Sequence, residues 1–175
     1  MGSSTDRRVR RTRRLLHESL IGLMLERGYA RITVQDILDR ADVGRSTFYS
    51  HYRDKDDLLA VSCAEYLRGA ISDASSSNDR PWGPVPILLS LAEQHPAIYQ
   101  ALAGPRSSGV LLRASRHMVY EALIEYLRHS APNDTDVETL ANFLSWGLVG
   151  LLGAIAEGEM SAREAYTIFE STVRT

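Results

Sequence analysis

The sequence predicts an all-α protein. Apolar residues recur at spacings of three and four along most of the chain, which is the period of an amphipathic helix. Strand-like alternation of apolar and polar residues never lasts more than a few positions. Glycine, proline and capping residues divide the helical pattern into about nine segments. The 175 residues allow one ordinary domain or two small ones.

Two helices are predicted in the first 41 residues. The first covers residues 7–27, whose leucine stripe ends at Gly28, and glycine is the usual residue after a helix C-terminus. The second begins at Thr33, because Thr33 and Asp36 have the spacing of a capping box, in which each side chain binds the other residue's backbone N–H. Its apolar face continues to Ala41.

A turn of three or four residues then leads to a short third helix. Asp42 in this turn belongs to the few residue types other than glycine that adopt a positive φ at low cost. The third helix carries Phe48 and Tyr52 on one side, which we expect to be buried. Two helices joined in this way form a helix-turn-helix, whose second helix lies in the major groove of DNA.

Six further helices are predicted after this motif. The fourth begins at a capping box spanning 54–57, and a loop rich in serine, glycine and proline follows within residues 72–86. The other five are expected from Pro84 or Val85 to Gln94, from Pro96 to Gly104, over 107–130, over 134–157 and, after a capping box of Ser161 and Glu164, over 161–173. The predicted organisation is a disordered tail over 1–6, a helix-turn-helix domain over 7–53 and a helical domain over 54–175.

The charge distribution separates the first third of the chain from the remainder. The net charge is −2, but residues 1–55 carry a net charge of +5 and the remaining 120 residues carry −7. Six of the eight residues from 7 to 14 are arginines. A basic N-terminal region predicts contact with a polyanion in that region. The arginine run alone would also fit a solvated helix start or a membrane-surface patch.

Residues 33–59, with the sequence TVQDILDRADVGRSTFYSHYRDKDDLL, resemble the DNA-binding region of the TetR family of transcriptional regulators. The resemblance lies in the threonine that opens the second helix, the Ala-x-Val turn, the Thr-Phe-Tyr-x-His-Tyr recognition helix and the lysine before an acidic Leu-Leu pair. Two positions depart from the usual pattern. Asp42 stands where many members have glycine, and Gly44 stands where many have a serine or threonine cap.

The resemblance implies a set of DNA-contacting residues. The set is Thr33, Gly44, Arg45, Ser46, Thr47, Tyr49, His51 and Lys55. Residues 45–47 are expected to read bases, and Tyr49 and His51 to contact phosphates or a thymine methyl group. Thr33 and Lys55 are expected to bind backbone phosphates at the N-termini of their helices.

Each of these roles has a structural alternative. Tyr49 could be a half-buried surface aromatic, although its position opposite Phe48 and Tyr52 favours contact with DNA. His51 could make a structural hydrogen bond. The arginines of residues 7–14 could form a solvated or disordered arm rather than lie in the minor groove.

The resemblance further implies a small-molecule pocket and a dimer interface in the C-terminal helices. The pocket candidates are Trp82, Tyr99, His117, Tyr120, Phe143 and Trp146, whose alternative role is simple core packing. Interface candidates within 136–173 are Phe143, Gly147, Gly150, Leu151, Ala154, Tyr166 and Phe169. Glycines three residues apart in the eighth helix, including Gly153, cost about 1 kcal/mol each, which suggests that something packs closely there. Packing within the chain is the alternative.

The predicted function is a dimeric DNA-binding regulator that binds a near-palindromic operator, with repression released by an unknown small molecule. An activator or a ligand-independent regulator of the same fold is the alternative. An enzyme is not expected, because the sequence has no zinc-binding spacing, phosphate loop or nucleophile elbow, and its one cysteine, Cys63, excludes cysteine-cluster metal sites. No cofactor and no metal are expected. The apolar stretch of residues 143–156 is too short for a membrane span, and no signal sequence is visible, so we expect a cytoplasmic protein.

Overall fold

The computed structural model describes residues 4–74, 82–131 and 136–173. This part of the chain contains nine α-helices and no strand, so the predicted all-α fold class is confirmed. The helices are α1 (Ser4–Arg27), α2 (Val34–Ala41), α3 (Arg45–Tyr49), α4 (Lys55–Ala74), α5 (Pro84–Gln94), α6 (Pro96–Ala103), α7 (Gly109–Ser130), α8 (Val137–Ala156) and α9 (Ala162–Val173). A short 3-10 helix, Tyr29–Arg31, which the sequence did not indicate, connects α1 to α2.

The chain divides into two compact units, residues 1–63 and 64–175. Helix α4 is continuous across the division, so the unit boundary falls inside a helix rather than in a linker. Helix α1 begins at Ser4, three residues before the predicted start. The predicted organisation of a tail over 1–6 and domains over 7–53 and 54–175 stays a prediction.

Apolar side chains from α1, α2 and α3 form the core of the first unit. Leu16, Leu20, Ile37 and Phe48 have no exposed surface, and Tyr52 is only 3% exposed. These residues are the ones whose helical spacing predicted a buried face. Because Phe48 and Tyr52 are buried, the opposite side of α3 faces solvent.

Two ion pairs join the C-terminal part of α1 to α2 at the edge of this core. Arg40 Nη2 lies 2.6 Å from Glu26 Oε1, and Arg27 Nη2 lies 2.9 Å from Asp36 Oδ1. Both pairs are partly exposed, so each contributes little stability by itself. They orient α2 on α1 and therefore help to set the position of the turn that follows.

Helix α8 forms the centre of the second unit and packs against α5, α6, α7 and α9. Gly153 allows the close approach of α6, because a Cβ at this position would lie 2.6 Å from the Ala103 carbonyl oxygen. Gln100 Nε2 donates to the Ala156 carbonyl at 2.9 Å and ties α6 to the end of α8. The glycine at 153 is thus explained by packing within the chain.

Helix α8 is also long and apolar enough, by length and composition alone, to cross a membrane. The sequence pattern had suggested a shorter apolar stretch, but the helix has 20 residues, and half of its apolar window is buried inside the fold. A core helix of a soluble protein meets the same criterion, so this feature is weak evidence for a membrane span.

Two of the three predicted capping boxes are present as expected. In the first, Thr33 and Asp36 exchange both hydrogen bonds, and in the last, the Ser161 and Glu164 side chains each accept the other residue's backbone N–H. The middle box is only half formed. Asp54 accepts from the backbone N–H of Asp57, but the Asp57 carboxylate accepts from the backbone and the guanidinium of Arg53 instead.

Candidate nucleic-acid interface

The turn between α2 and α3 has the backbone geometry expected of Asp42. This residue has φ 52° and ψ 48°, in the left-handed region, and its N–H donates to the Leu38 carbonyl. The Val43 N–H donates to the same carbonyl at 3.2 Å. Gly44 follows in an extended conformation as the N-cap of α3 and makes no side-chain cap. The short connection therefore joins α2 and α3 as a helix-turn-helix.

Helix α3 presents a polar surface opposite its buried face. The exposed residues are Arg45, Ser46, Thr47 and Tyr49. The ring of Tyr49 is 47% exposed and stands edge-on to the buried Phe48 ring, with 5.2 Å between ring centres. Tyr49 thus contacts the core through Phe48 while about half of its surface faces solvent. This surface of arginine, hydroxyl and aromatic groups can contact base edges and phosphates.

His51 lies at the side of this surface. Its side chain is half-buried, and its ring centre is 6.3 Å from that of Tyr52. The hydroxyl of Ser50 donates to the Thr47 carbonyl at 2.7 Å and closes the C-terminal end of α3. His51 is therefore adjacent to both the core and the exposed face, which is compatible with either of the roles expected for it.

Thr33 is committed to the capping box of α2. Its hydroxyl donates to Asp36 Oδ2 at 2.6 Å, and its backbone N–H donates to the same oxygen at 2.8 Å. These bonds, together with Arg27, lower the pKa of Asp36 to about 2. The Asp36 carboxylate thus occupies the N-terminus of α2, where the resemblance placed a phosphate contact for Thr33.

Lys55 is half-buried and bound to the backbone that precedes α2. Its Nζ donates to the Ile32 carbonyl at 2.8 Å and to the Tyr29 carbonyl at 3.1 Å, and it lies 4.4 Å from the centre of the Tyr29 ring. The Tyr29 hydroxyl donates to Asp56, and burial raises the pKa of Tyr29 well above its usual range. Lys55 therefore fixes the start of α4 to the 3-10 helix, and its expected contact with a phosphate stays a prediction.

Sequence reasoning missed two residues next to the recognition helix. Gln35 Nε2 donates to Asp39 Oδ1 at 2.7 Å, and Gln35 Oε1 accepts from Arg45 Nη1 at 3.5 Å. The four-residue spacing of Gln35 and Asp39 was a visible signal for the first bond, since such pairs face each other on a helix. The contact with Arg45 crosses the turn and had no local signal.

The arginines of residues 7–14 lie in α1. Arg7, Arg8 and Arg10 are exposed, and Arg14 lies 3.7 Å from Glu18 one turn along the helix. The run is therefore a basic helix surface here, in agreement with a solvated helix start. Its contact with a minor groove stays a prediction.

The six predicted pocket residues have different surroundings in the second unit. Tyr99 is buried, whereas Trp82 packs its ring edge-on against Phe169, with 5.2 Å between ring centres. His117 and Tyr120 line a groove of about 380 Å³ with Arg116, Glu138, Thr139 and Asn142. Phe143 and Trp146 point outwards, with 70% and 52% of their surface exposed.

Trp146 is connected to this groove through Arg116. The Arg116 guanidinium lies 5.3 Å from the centre of the Trp146 ring, and its Nη1 donates to Asn142 Oδ1 at 2.8 Å. Most of the lining side chains can donate hydrogen bonds, while Glu138 supplies the carboxylate and lies 3.4 Å from Arg128. The groove is thus polar and open rather than an enclosed apolar cavity.

The predicted interface residues differ in exposure. Gly147 and Gly150 face outwards on α8, and in the described part of the chain no atom lies within 4 Å of where their Cβ atoms would be, the neighbouring turns of α8 aside. Leu151, Ala154 and Tyr166 are half-buried. Phe169 is buried against Trp82 within its own unit. Of these three glycines of α8, Gly153 is therefore needed for packing within the chain. Gly147 and Gly150 are not needed for packing among the described residues.

The described residues contain no cluster of three histidine, cysteine, aspartate or glutamate side chains that could hold a metal ion. The single cysteine, Cys63, is half-buried, and desolvation raises the pKa of its thiol to about 12, which disfavours the thiolate.

Comparison with known proteins agrees with this geometry. The family model described as bacterial regulatory proteins, tetR family, matches residues 20–61. The uncharacterized HTH-type transcriptional regulator YxbF of Bacillus subtilis (strain 168) is 29% identical over 161 residues, which are 84% of this chain and 40% of that protein. The chain thus spans less than half the length of this relative.

Two solved structures share the fold over nearly the whole chain. A TetR transcriptional regulator from Streptococcus agalactiae 2603V superposes with a TM-score of 0.63 at 24% identity, covering 97% of each chain. A TetR-family transcriptional regulator from Pectobacterium atrosepticum gives a TM-score of 0.59 at 20% identity, covering 99% of this chain and 94% of its own. Residues 20–61 thus match the tetR family of bacterial regulatory proteins, and the chain shares its fold with solved structures of TetR-family regulators.

Proposed function

We propose that this chain is a transcriptional regulator, which acts as a homodimer and binds a near-palindromic operator by inserting α3 of each copy into successive major grooves. The exposed face of α3 carries this proposal, because Arg45 and Tyr49 stand opposite the buried Phe48 and Tyr52. Two recognition helices about one helical turn of DNA apart require a two-fold symmetric assembly. The site reads bases through residues 45–47 and positions itself through phosphate contacts from Tyr49 and His51.

The outer face of α8 supports the homodimer. Gly147 and Gly150 each cost about 1 kcal/mol of helix stability relative to alanine, and packing among the described residues does not account for them. Phe143 and Trp146 lie exposed on the same helix. Large aromatic side chains beside small residues allow close helix approach and apolar burial, as a symmetric interface between two copies requires.

The second unit is proposed to bind the small molecule that releases the operator. The groove lined by His117 and Tyr120 supports this location, since its volume of about 380 Å³ is within the range of ligand pockets. Repression released by an effector is the behaviour we expect from the resemblance to the family. Activation, or regulation without a ligand, is the alternative. A regulator of this kind works in the cytoplasm.

Fluorescence anisotropy with labelled DNA tests the proposal. Duplexes from upstream of the gene for this chain and of its neighbours are titrated at two salt concentrations, with excess unrelated DNA as competitor. We expect binding that resists the competitor and weakens with salt. Failure of every genomic fragment to bind in the presence of competitor would reject sequence-specific regulation.

A further inference from the structure

A chain of polar contacts crosses the helix-turn-helix from α2 to the start of α3. Asp39 accepts from Gln35 at 2.7 Å, Gln35 accepts from Arg45 at 3.5 Å, and the Arg45 guanidinium carbon lies 5.6 Å from the centre of the Tyr49 ring. We call Asp39, Gln35 and Arg45 the arginine brace. Its members are exposed, and Arg45 ends between an oxygen acceptor on α2 and an aromatic ring on α3.

Asp39 decides which end of the Gln35 amide faces Arg45. A carboxylate accepts only, so the amide NH₂ group turns towards Asp39 and its oxygen turns away. The reversed amide would set oxygen against carboxylate and NH₂ against guanidinium, both of which repel. Gln35 therefore acts as an acceptor, and Arg45 receives a fixed partner on one side.

We propose that Gln35, oriented by Asp39, is a positioning residue that holds Arg45 ready to read one base pair and so determines specificity at that position. This inference rests on the proposed function. One guanidinium nitrogen faces Gln35 and the other N–H groups stay available, which is what a paired contact with guanine O6 and N7 in the major groove needs. An arginine already held in place loses less side-chain freedom when it binds.

Loss of the arginine brace should change DNA binding in a different way from loss of a phosphate contact. Gln35 touches Arg45 and Asp39 rather than a cation that neutralises phosphate, so its loss leaves the dependence of affinity on salt unchanged. The effect falls on the base pair that Arg45 reads, while affinity for unrelated DNA stays the same. The brace also makes the effect of Gln35 depend on the presence of Arg45.

The test is a double-mutant cycle on a selected operator. Wild-type protein first enriches a binding duplex from random-sequence DNA. Affinities of wild type, Gln35→Ala, Arg45→Ala and the double variant are then measured for this duplex and for duplexes with each base pair of a half-site replaced, at several salt concentrations. Gln94→Ala is the matched control, because Gln94 on α5 also makes an exposed hydrogen bond to a residue four positions away, Ser90 at 2.9 Å.

We expect Gln35→Ala to weaken binding of the selected duplex by about three- to ten-fold, the effect of one hydrogen bond. The loss concentrates at one base pair, and the salt dependence does not change. In the Arg45→Ala background, Gln35→Ala has no further effect. Gln94→Ala binds like wild type.

Three results would overturn the inference. A loss from Gln35→Ala that persists in the Arg45→Ala background would mean that Gln35 acts without Arg45. Uniform weakening on all sequences with a changed salt dependence would mean a backbone contact. An Arg45→Ala variant with wild-type affinity would remove Arg45 from base reading. The proposed function fails separately, if wild-type protein enriches no duplex at all.

Discussion

The helix-turn-helix and the outer face of α8 are both exposed, but they differ in how far their side chains are bound to other parts of the chain. Around α3, three polar side chains already have protein partners, namely Thr33 in its capping box, Lys55 on backbone carbonyls and Arg45 in the brace. The outer face of α8 instead exposes two aromatic rings and two glycines with open space beside them.

This difference suggests two kinds of binding surface. The first is organised before its partner arrives, so it suits a rigid polyanion that it must read in one register. The second leaves apolar area in water, which favours burial against another apolar surface. Variants in the first region should therefore change DNA recognition alone, and variants in the second should change assembly first and DNA binding as a consequence.

The largest effect is expected from Gly150→Leu. A leucine side chain at this position meets open space in the single chain but obstructs close helix approach in a dimer. We expect monomers by analytical ultracentrifugation and an operator affinity at least about 100-fold lower, since a monomer offers one recognition helix. Gly69→Leu on α4, another exposed helical glycine with open space, is the control that should leave the dimer intact. A dimeric Gly150→Leu protein would place the interface elsewhere.

The next largest effect is expected from Gly153→Ala, which tests the side of α8 that packs against α6 rather than its outer face. The added Cβ would lie 2.6 Å from the Ala103 carbonyl oxygen, so we expect a loss of about 1–3 kcal/mol in the free energy of unfolding. Gly69→Ala should instead stabilise the protein by up to about 1 kcal/mol, because alanine favours helix and meets no neighbour. Urea unfolding measures both. Equal stability of the two variants would contradict the packing of α6 on α8.

A smaller effect is expected from Tyr49→Ala. Removal of this half-exposed ring should weaken operator binding about ten-fold, the effect of one hydrogen bond to a charged group, and leave helix content and dimerisation unchanged. Anisotropy and circular dichroism measure these properties. Tyr66→Ala, which removes a similarly exposed tyrosine from α4, serves as the control. Operator affinity equal to that of wild type would remove Tyr49 from the interface.

The smallest effect is expected at Asp36 and depends on pH. Its folded-state pKa of about 2 lies below the ordinary value of 3.8, so the carboxylate stabilises the fold above 3.8 and loses this effect as the pH falls towards 2. Asp36→Asn should therefore be less stable than wild type at neutral pH, and the difference should disappear as the pH falls through 2, by urea unfolding. Glu164→Gln tests the same motif on α9, where hydrogen bonds from Ser161 lower the pKa. A difference that does not shrink as the pH falls through 2 would contradict this origin.

Local sequence signals predicted much of the first unit. Thr33 with Asp36 marked the start of α2, Asp42 marked a turn that needs positive φ, and the spacing of Phe48 and Tyr52 marked the buried side of α3. Each of these features depends on residues within one or two helical turns. The TetR resemblance of residues 33–59 rested on the same short segment, and the family comparison confirms it.

Contacts between distant residues could not be predicted in this way. Lys55 matched a phosphate-binding position, but its ammonium binds a carbonyl 23 residues earlier in the chain. The spacing of Asp54 and Asp57 suggested a capping box, yet Arg53 competes for the Asp57 carboxylate. The glycines of α8 look alike in sequence, and only the position of the Ala103 carbonyl distinguishes Gly153 from Gly147 and Gly150.

The continuity of α4 restricts how this protein can be recombined with its relatives. A junction between residues 63 and 64, at the boundary of the compact units, would cut a 20-residue helix in its middle. Backbone hydrogen bonds span four residues, so two sequences joined there must share one helical register and one set of side-chain neighbours. Chimeras that exchange the DNA-reading unit should therefore keep α4 from one parent and be joined before Lys55, with Tyr29 and Asp56 retained as a pair.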